Sequence, residues 1–206
     1  MPNIQVNMPF SPKKEVNILG LDEERQLELY IKNIQSLTAL GIMLSLYAGL
    51  RIGEVCALRW NNIDFKNRII TVDSTIVRIK NENNKWIYKV GPPKTTHSKR
   101  DIPITNNLYQ LLTAEFRNNK SPYIISNQES FLNIRTFEYR YHKLLKDADL
   151  YPQNFHTFRH TFATRCIESG ADIKTLSEVL GHSSVSFTLN TYVHPSFQKN
   201  VFNLKN

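Results

Sequence analysis

HTFRHTFATRCIESG, residues 156–170, is the stretch whose reading decides the fold. Phe158, Phe162 and Ile167 fall on one side of a helical wheel, which predicts a helix over about 156–169 stopped by Gly170. His156 and Arg159 are three residues apart and share another face, so an imidazole that can titrate and a permanent cation are presented together. His156 and His160 also have the i, i+4 spacing of a zinc-binding helix. Thr157 stands where a metalloprotease carries glutamate, and the sequence offers no third ligand, so phosphate suits the helix better than a metal.

Working outward, SEVLGHSSVSFTLNTY (177–192) follows. Gly181 stops a helix over about 172–180 and sets His182 on a tight turn. Ser183 or Ser184 caps a helix over about 184–191, at whose end Tyr192 stands. Far upstream, GLRIGEV (49–55) places Arg51 in the first turn of a helix after a glycine break. A cation there opposes the helix dipole at a cost of a few tenths of a kcal/mol, a penalty that becomes an advantage once an anion binds. Glu54, one turn on, either orients the Arg51 guanidinium or simply favours the helix N-terminus. GPPKTTHSKRDIPI (91–104) puts Lys94 on a turn between strands, where its ammonium can donate a proton or contact a phosphate. Thr95, Thr96, His97, Ser98, Lys99 and Arg100 all carry donors suited to phosphates or base edges, which makes them candidate DNA contacts. Each residue also has a plainer account: a surface salt bridge for Arg51, a solvated charge for Lys94, a capping role for His182, packing for Tyr192. The ordered combination is what carries information.

The rest of the chain sets the frame. Residues 1–20, with Pro2, Pro9, Pro12, Lys13 and Lys14, read as a linker or arm, and the folded domain runs over 21–206 with a tail from about 193. Asp22 is a cap candidate for a first helix leading toward Ile34, a second helix spans about 37–48 before Gly49, and a third begins near Arg51. Residues 68–80 and 85–90 are rich in Ile, Val, Thr and Tyr and flank the turn 81–84, which predicts a hairpin that a third strand, 100–104, completes. Helical patterns return over about 106–118 and 133–148. The fold class is therefore α+β, mainly α-helical with a small three-stranded antiparallel β-sheet.

Composition narrows the partners. The formal charge of +8 and pI near 9.5 favour a polyanion, because lysines and arginines on phosphates release counterions. No apolar run reaches the roughly 18–20 residues of a membrane span, and the start lacks a secretory apolar segment, so a cytoplasmic protein without membrane attachment is expected. Cys56 and Cys166 lie in apolar helical patterns away from zinc-ligand spacing and read as buried thiols. Asp147 and Asp149, the nearest carboxylate pair, would point to different sides of a helix, which disfavours a two-metal nuclease.

In chain order, GLRIGEVCALRW, a lysine on a β-turn, HTFRHTFAT, LGHSS and a tyrosine soon after resemble the tyrosine recombinase, or phage integrase, family, most closely the integrases of conjugative transposons and temperate phages. The likeness spans residues 21 to 195. It implies the catalytic-domain fold of that family, with Arg51, Lys94, His156, Arg159 and His182 around a scissile phosphate and Tyr192 as nucleophile. It further implies integration or excision of a mobile element through a 3′-phosphotyrosyl link, with neither metal, ATP nor other cofactor. The implied partners are double-stranded DNA, with nucleoid association, and further copies of the chain forming a tetramer in the synaptic complex. The resemblance leads one to expect helical core-binding and arm-binding domains ahead of this domain, and the chain is read as a catalytic domain without them. Type IB topoisomerase-like activity and a non-catalytic DNA-binding domain of the same fold are the rival readings. The tail VHPSFQKNVFNLKN (193–206) has apolar anchors that would dock either on a neighbouring subunit or on their own domain.

Overall fold

Apolar residues surround helix α2 (Leu37–Ala48) on nearly every side, which is the mark of a helix with no solvent face. The computed structural model, which describes residues 16–93 and 98–193, buries ten of its twelve residues at the centre of the molecule. Ser36 caps it by accepting the N–H of Ala39, and Gly49 ends it at φ +66°, a left-handed conformation in which any side chain would also strike the Phe162 ring.

The other helices pack around this one. They are α1 (Leu21–Lys32), α3 (Ile52–Ala57), α4 (Asn106–Asn118), α5 (Ile134–Asp147), α6 (His156–Glu168), α7 (Ile173–Leu180) and α8 (Val185–Thr188), the last running into a π turn over Leu189–Val193. α3, α4, α5 and α6 touch α2 directly. The residue at the cap of α1 is Gly20, whose N–H donates to the Glu23 carboxylate, while Asp22 lies in the first turn and serves the dipole. Packing also begins before Leu21: Leu19 is buried and its N–H donates to Thr161 Oγ1 of α6.

The strands are β1 (Ile63–Asp64), β2 (Ile69–Val72), β3 (Thr75–Lys80), β4 (Trp86–Gly91) and β5 (Arg100–Pro103). A three-stranded antiparallel sheet is present, but its order is β1-β2-β5, with Ile70 opposite Ile102 and Val72 opposite Arg100. The expected hairpin forms separately from β3 and β4 around the turn at 81–84. The run 68–80 is thus two strands broken at Asp73–Ser74: β2 buries Ile70 and Val72 in the core, whereas the outer half of β3 stands in solvent. Antiparallel pairing needs a partner of matching burial, and buried β5 fits β2 while exposed β4 fits β3. β3 packs on α3, and β5 reaches α7, so both sheets end at one wall of the helical body.

A main core gathers α1 to α6 and the sheet. A smaller apolar cluster joins Ala163, Leu176, Leu180 and Tyr192, flanked by Phe162 and Ile167. Cys56 is buried, Cys166 partly so, and both are free thiols.

Candidate active site

Glu54 is the least expected residue in the wall where α3, β3, α6 and α7 meet, because a carboxylate that is 3% exposed must be compensated. It accepts four hydrogen bonds: from Arg51 N–H (2.8 Å), Arg51 Nη1 (2.9 Å), Arg100 Nη1 (3.0 Å) and Arg100 Nη2 (2.9 Å). Burial pushes its pKa up, but the hydrogen bonds and charge of Arg100, joined by Arg51, outweigh that and bring it down to about 2. Both readings of Glu54 therefore hold, since the same carboxylate orients Arg51 and closes the first turn of α3.

Arg159 comes from the first turn of α6 and is 3% exposed. Its Nη1 donates to the Gly49 carbonyl, and its Nη2 donates to the Leu180 carbonyl at 2.6 Å and to His182 Nε2 at 3.1 Å. The two glycine-stopped helix ends thus supply the carbonyls that hold it. Burial and the charge of Arg51 lower the Arg159 pKa to about 9, so it stays cationic at neutral pH. Arg51 adds a donor to the Gly181 carbonyl at 3.2 Å and keeps part of its guanidinium open to solvent.

His182 sits between them. Because Arg159 donates to Nε2, the ring proton is on Nδ1 and donates to Thr188 Oγ1 at 2.8 Å. Burial, followed by the charges of Arg159 and Arg51, lowers its pKa to about 3, so the ring is neutral. His156, at the start of α6, is shifted in the same direction by desolvation of its ring and by Arg159.

Tyr192 lies in the π turn, 3% exposed, with its ring parallel to that of His182 at 6.3 Å. Its hydroxyl is 2.8 Å from His160 Nδ1. Burial raises the Tyr192 pKa against the lowering charges of Arg159 and Arg51, and burial with His156 lowers that of His160 to about 4. The phenol is thus protonated at neutral pH and donates to an uncharged imidazole. Sequence reasoning weighed His160 only as a zinc ligand; its i, i+4 step from His156 keeps the two rings 6.0 Å apart, and what it did not reveal is that α8 folds back to lay Tyr192 on the second ring.

A cleft of about 700 Å³ opens on the Arg51, Glu54 and His182 side of this array, bounded also by Arg78, Ser98 and Phe187. The structure therefore brings Arg51, Glu54, His156, Arg159, His182 and Tyr192 into one region. Lys94, Thr95, Thr96 and His97 lie outside the described residues. Lys99 is exposed. Arg100 does not fit its expected role as a DNA contact, because it is buried and turned inward onto Glu54, whereas Ser98, though 9% exposed, lines the cleft. The signal was available, because alternation along β5 puts Arg100 on the same face as buried Ile102.

The chain is similar to several known proteins. Residues 12–199 match the phage integrase family. A XerC-like tyrosine recombinase of Caldanaerobacter subterraneus subsp. tengcongensis is 32% identical over 215 residues, covering 92% of this chain and 54% of its own length. The transposase from transposon Tn916 of Enterococcus faecalis is 26% identical over 181 residues, covering 80% and 44%. The chain thus spans about half the length of the curated relatives it matches. The structure of the Tn1549 transposon integrase in complex with a circular intermediate DNA is similar at a TM-score of 0.73 and 26% identity, over 95% of this chain and 68% of that one. With the match extending over most of its length, the chain belongs to the phage integrase family, as the resemblance of its motifs led one to expect.

Proposed function

We propose that this chain is the strand-cleaving and rejoining domain of a site-specific recombinase that integrates or excises a mobile DNA element. The observation that carries the reading is the convergence of two arginines, Arg51 and Arg159, with His182 beside a buried tyrosine, Tyr192. A phosphodiester under attack gathers charge on its non-bridging oxygens, and fixed cations stabilise that charge more in the transition state than in the ground state. Arg51 and Arg159 supply it, so the reaction as proposed draws on neither metal nor ATP.

In the forward step the Tyr192 oxygen bonds to phosphorus and the bond to the 5′ oxygen breaks. The phenolic proton passes to an acceptor, for which His160 Nδ1 lies at hydrogen-bond distance, and Lys94 gives a proton to the departing 5′ oxygen. The 3′-phosphotyrosyl link retains the bond energy until another 5′-hydroxyl attacks and restores Tyr192. A bound phosphate also raises the pKa of His156, since an adjacent anion favours the imidazolium, and turns its ring into a donor toward it, while neutral His182 keeps Arg159 and Thr188 as its partners. Double-stranded DNA is the substrate, and the members of the reaction are paired within a tetramer.

The test is a duplex carrying the terminal junction of the element, incubated with the protein and quenched in detergent. Mass spectrometry should find a nucleotide adduct on Tyr192, and Tyr192→Phe should bind the duplex with no adduct. Binding by the parent protein without an adduct on this cognate duplex would mean a non-catalytic DNA-binding domain, and relaxation of supercoils without exchange between paired sites would mean a topoisomerase-like enzyme.

A further inference from the structure

Arg100 uses its whole fork inside the protein. Nη1 and Nη2 hold the two oxygens of Glu54, Nη1 also donates to the Ser98 carbonyl at 3.0 Å, and Nε donates to the Val179 carbonyl at 2.6 Å. Its side chain is 5% exposed. These partners belong to three separate segments: the first turn of α3, the residue that follows segment 94–97, and the last turn of α7. Gly181, two residues beyond Val179, lies so close that a Cβ there would stand 3.1 Å from Arg100 Cδ, and its carbonyl receives Arg51.

We infer that Arg100 is a positioning residue for the strand cleavage proposed above, holding Arg51 through Glu54 and His182 through the α7 terminus. The inference rests on that reading of the site. A carboxylate gripped by Arg51 alone could rotate; the flat fork of Arg100 fixes its plane and hence the direction of Arg51 Nη1. Arg100 and Glu54 also cancel each other's charge, which leaves the charge of Arg51 available to a phosphate. Lysine keeps the charge but is a single point donor that cannot span both oxygens and the Val179 carbonyl.

The decisive variant is Arg100→Lys in the full chain, measured on the cognate duplex. Adduct formation at saturating DNA should slow about 10- to 100-fold, the scale of an ångström-sized misplacement, while half-saturation shifts by less than about threefold. On a duplex with a methylphosphonate at the scissile position, a methyl group replaces one non-bridging oxygen and the linkage is uncharged, so the gap between variant and parent should narrow to within about threefold. An unchanged rate, a defect cured by more DNA, or a gap that persists on the methylphosphonate would each overturn the inference. Arg100→Gln would leave buried Glu54 with only Arg51 to compensate its charge and is expected to fold poorly, so backbone hydrogen exchange of Arg100→Lys supplies the independent measure. Exchange should quicken at 51–54 and 179–183 with the melting temperature held within a few degrees; unchanged exchange overturns the inference whatever the cleavage shows. Failure of the parent protein to form an adduct would instead sink the functional reading, with the exchange result still judging Arg100.

Discussion

At the scale of single residues, the site is an array of groups held in one protonation state by their surroundings. Glu54 stays ionised because two guanidiniums face it, and His160 and His182 stay neutral because burial and nearby cations disfavour their charged forms. The consequence for pH follows in two windows. Histidines whose folded pKa lies below the ordinary 6.5 leave the unfolded chain binding more protons, so stability falls as pH drops below about 6.5 toward their folded values of about 4 and 3. Glu54 adds stability above its ordinary 4.5 that is lost as pH falls toward 2. Thermal unfolding followed from pH 8 to 4 should therefore show a decline that begins above the carboxylate range, and His160→Gln should make that early decline shallower; a melting temperature flat from pH 7 to 5 would contradict the arrangement. Arg51, Arg159 and Tyr192 are legible in the sequence because each belongs to a spaced motif. The grip of Arg100 on Glu54 joins residues 46 apart in sequence and has no such spacing.

At the scale of elements, helix ends do more for the site than helix bodies. Gly49 and Gly181 both take left-handed conformations, and the carbonyls of Gly49, Leu180 and Gly181 all accept from Arg51 or Arg159. Gly181→Ala would pay about 1–2 kcal/mol for the left-handed backbone, and its methyl group would press on Arg100. Denaturant unfolding should register that loss, and adduct formation should fall by more than the folded fraction accounts for, since both His182 and Arg51 depend on this turn; a fall matching the folded fraction alone would confine the residue to a structural role. The helix stops were readable from glycines, and so were α2, α4 and α6 to within a residue or so. The last helix was read as continuous over 184–191, whereas α8 ends at Thr188 and a π turn follows. The wider turn carries Tyr192 into the cluster of Leu176 and Leu180, a choice made by packing and not by local propensity.

At the scale of the whole molecule, the net charge of +8 predicts a steep salt dependence for DNA binding. If about six phosphates are neutralised, affinity should drop on the order of a thousandfold between about 50 and 200 mM salt, and Tyr192→Phe should keep the same slope because it removes no cation. Fluorescence anisotropy across that range decides the matter, and a shallow slope would place the positive charge elsewhere than on the DNA. The sequence by itself determined the helical frame, the hairpin turn, the family and the identities of six residues that meet at the site, because periodicity, glycine stops and short motifs are properties of neighbouring residues. Only the tertiary structure decided that β2 leaves β3 to pair with β5, that Arg100 faces inward, and that His160 meets Tyr192. Those outcomes depend on which buried surfaces find complementary partners and which buried charges find counterions, and both are settled between segments far apart in the chain.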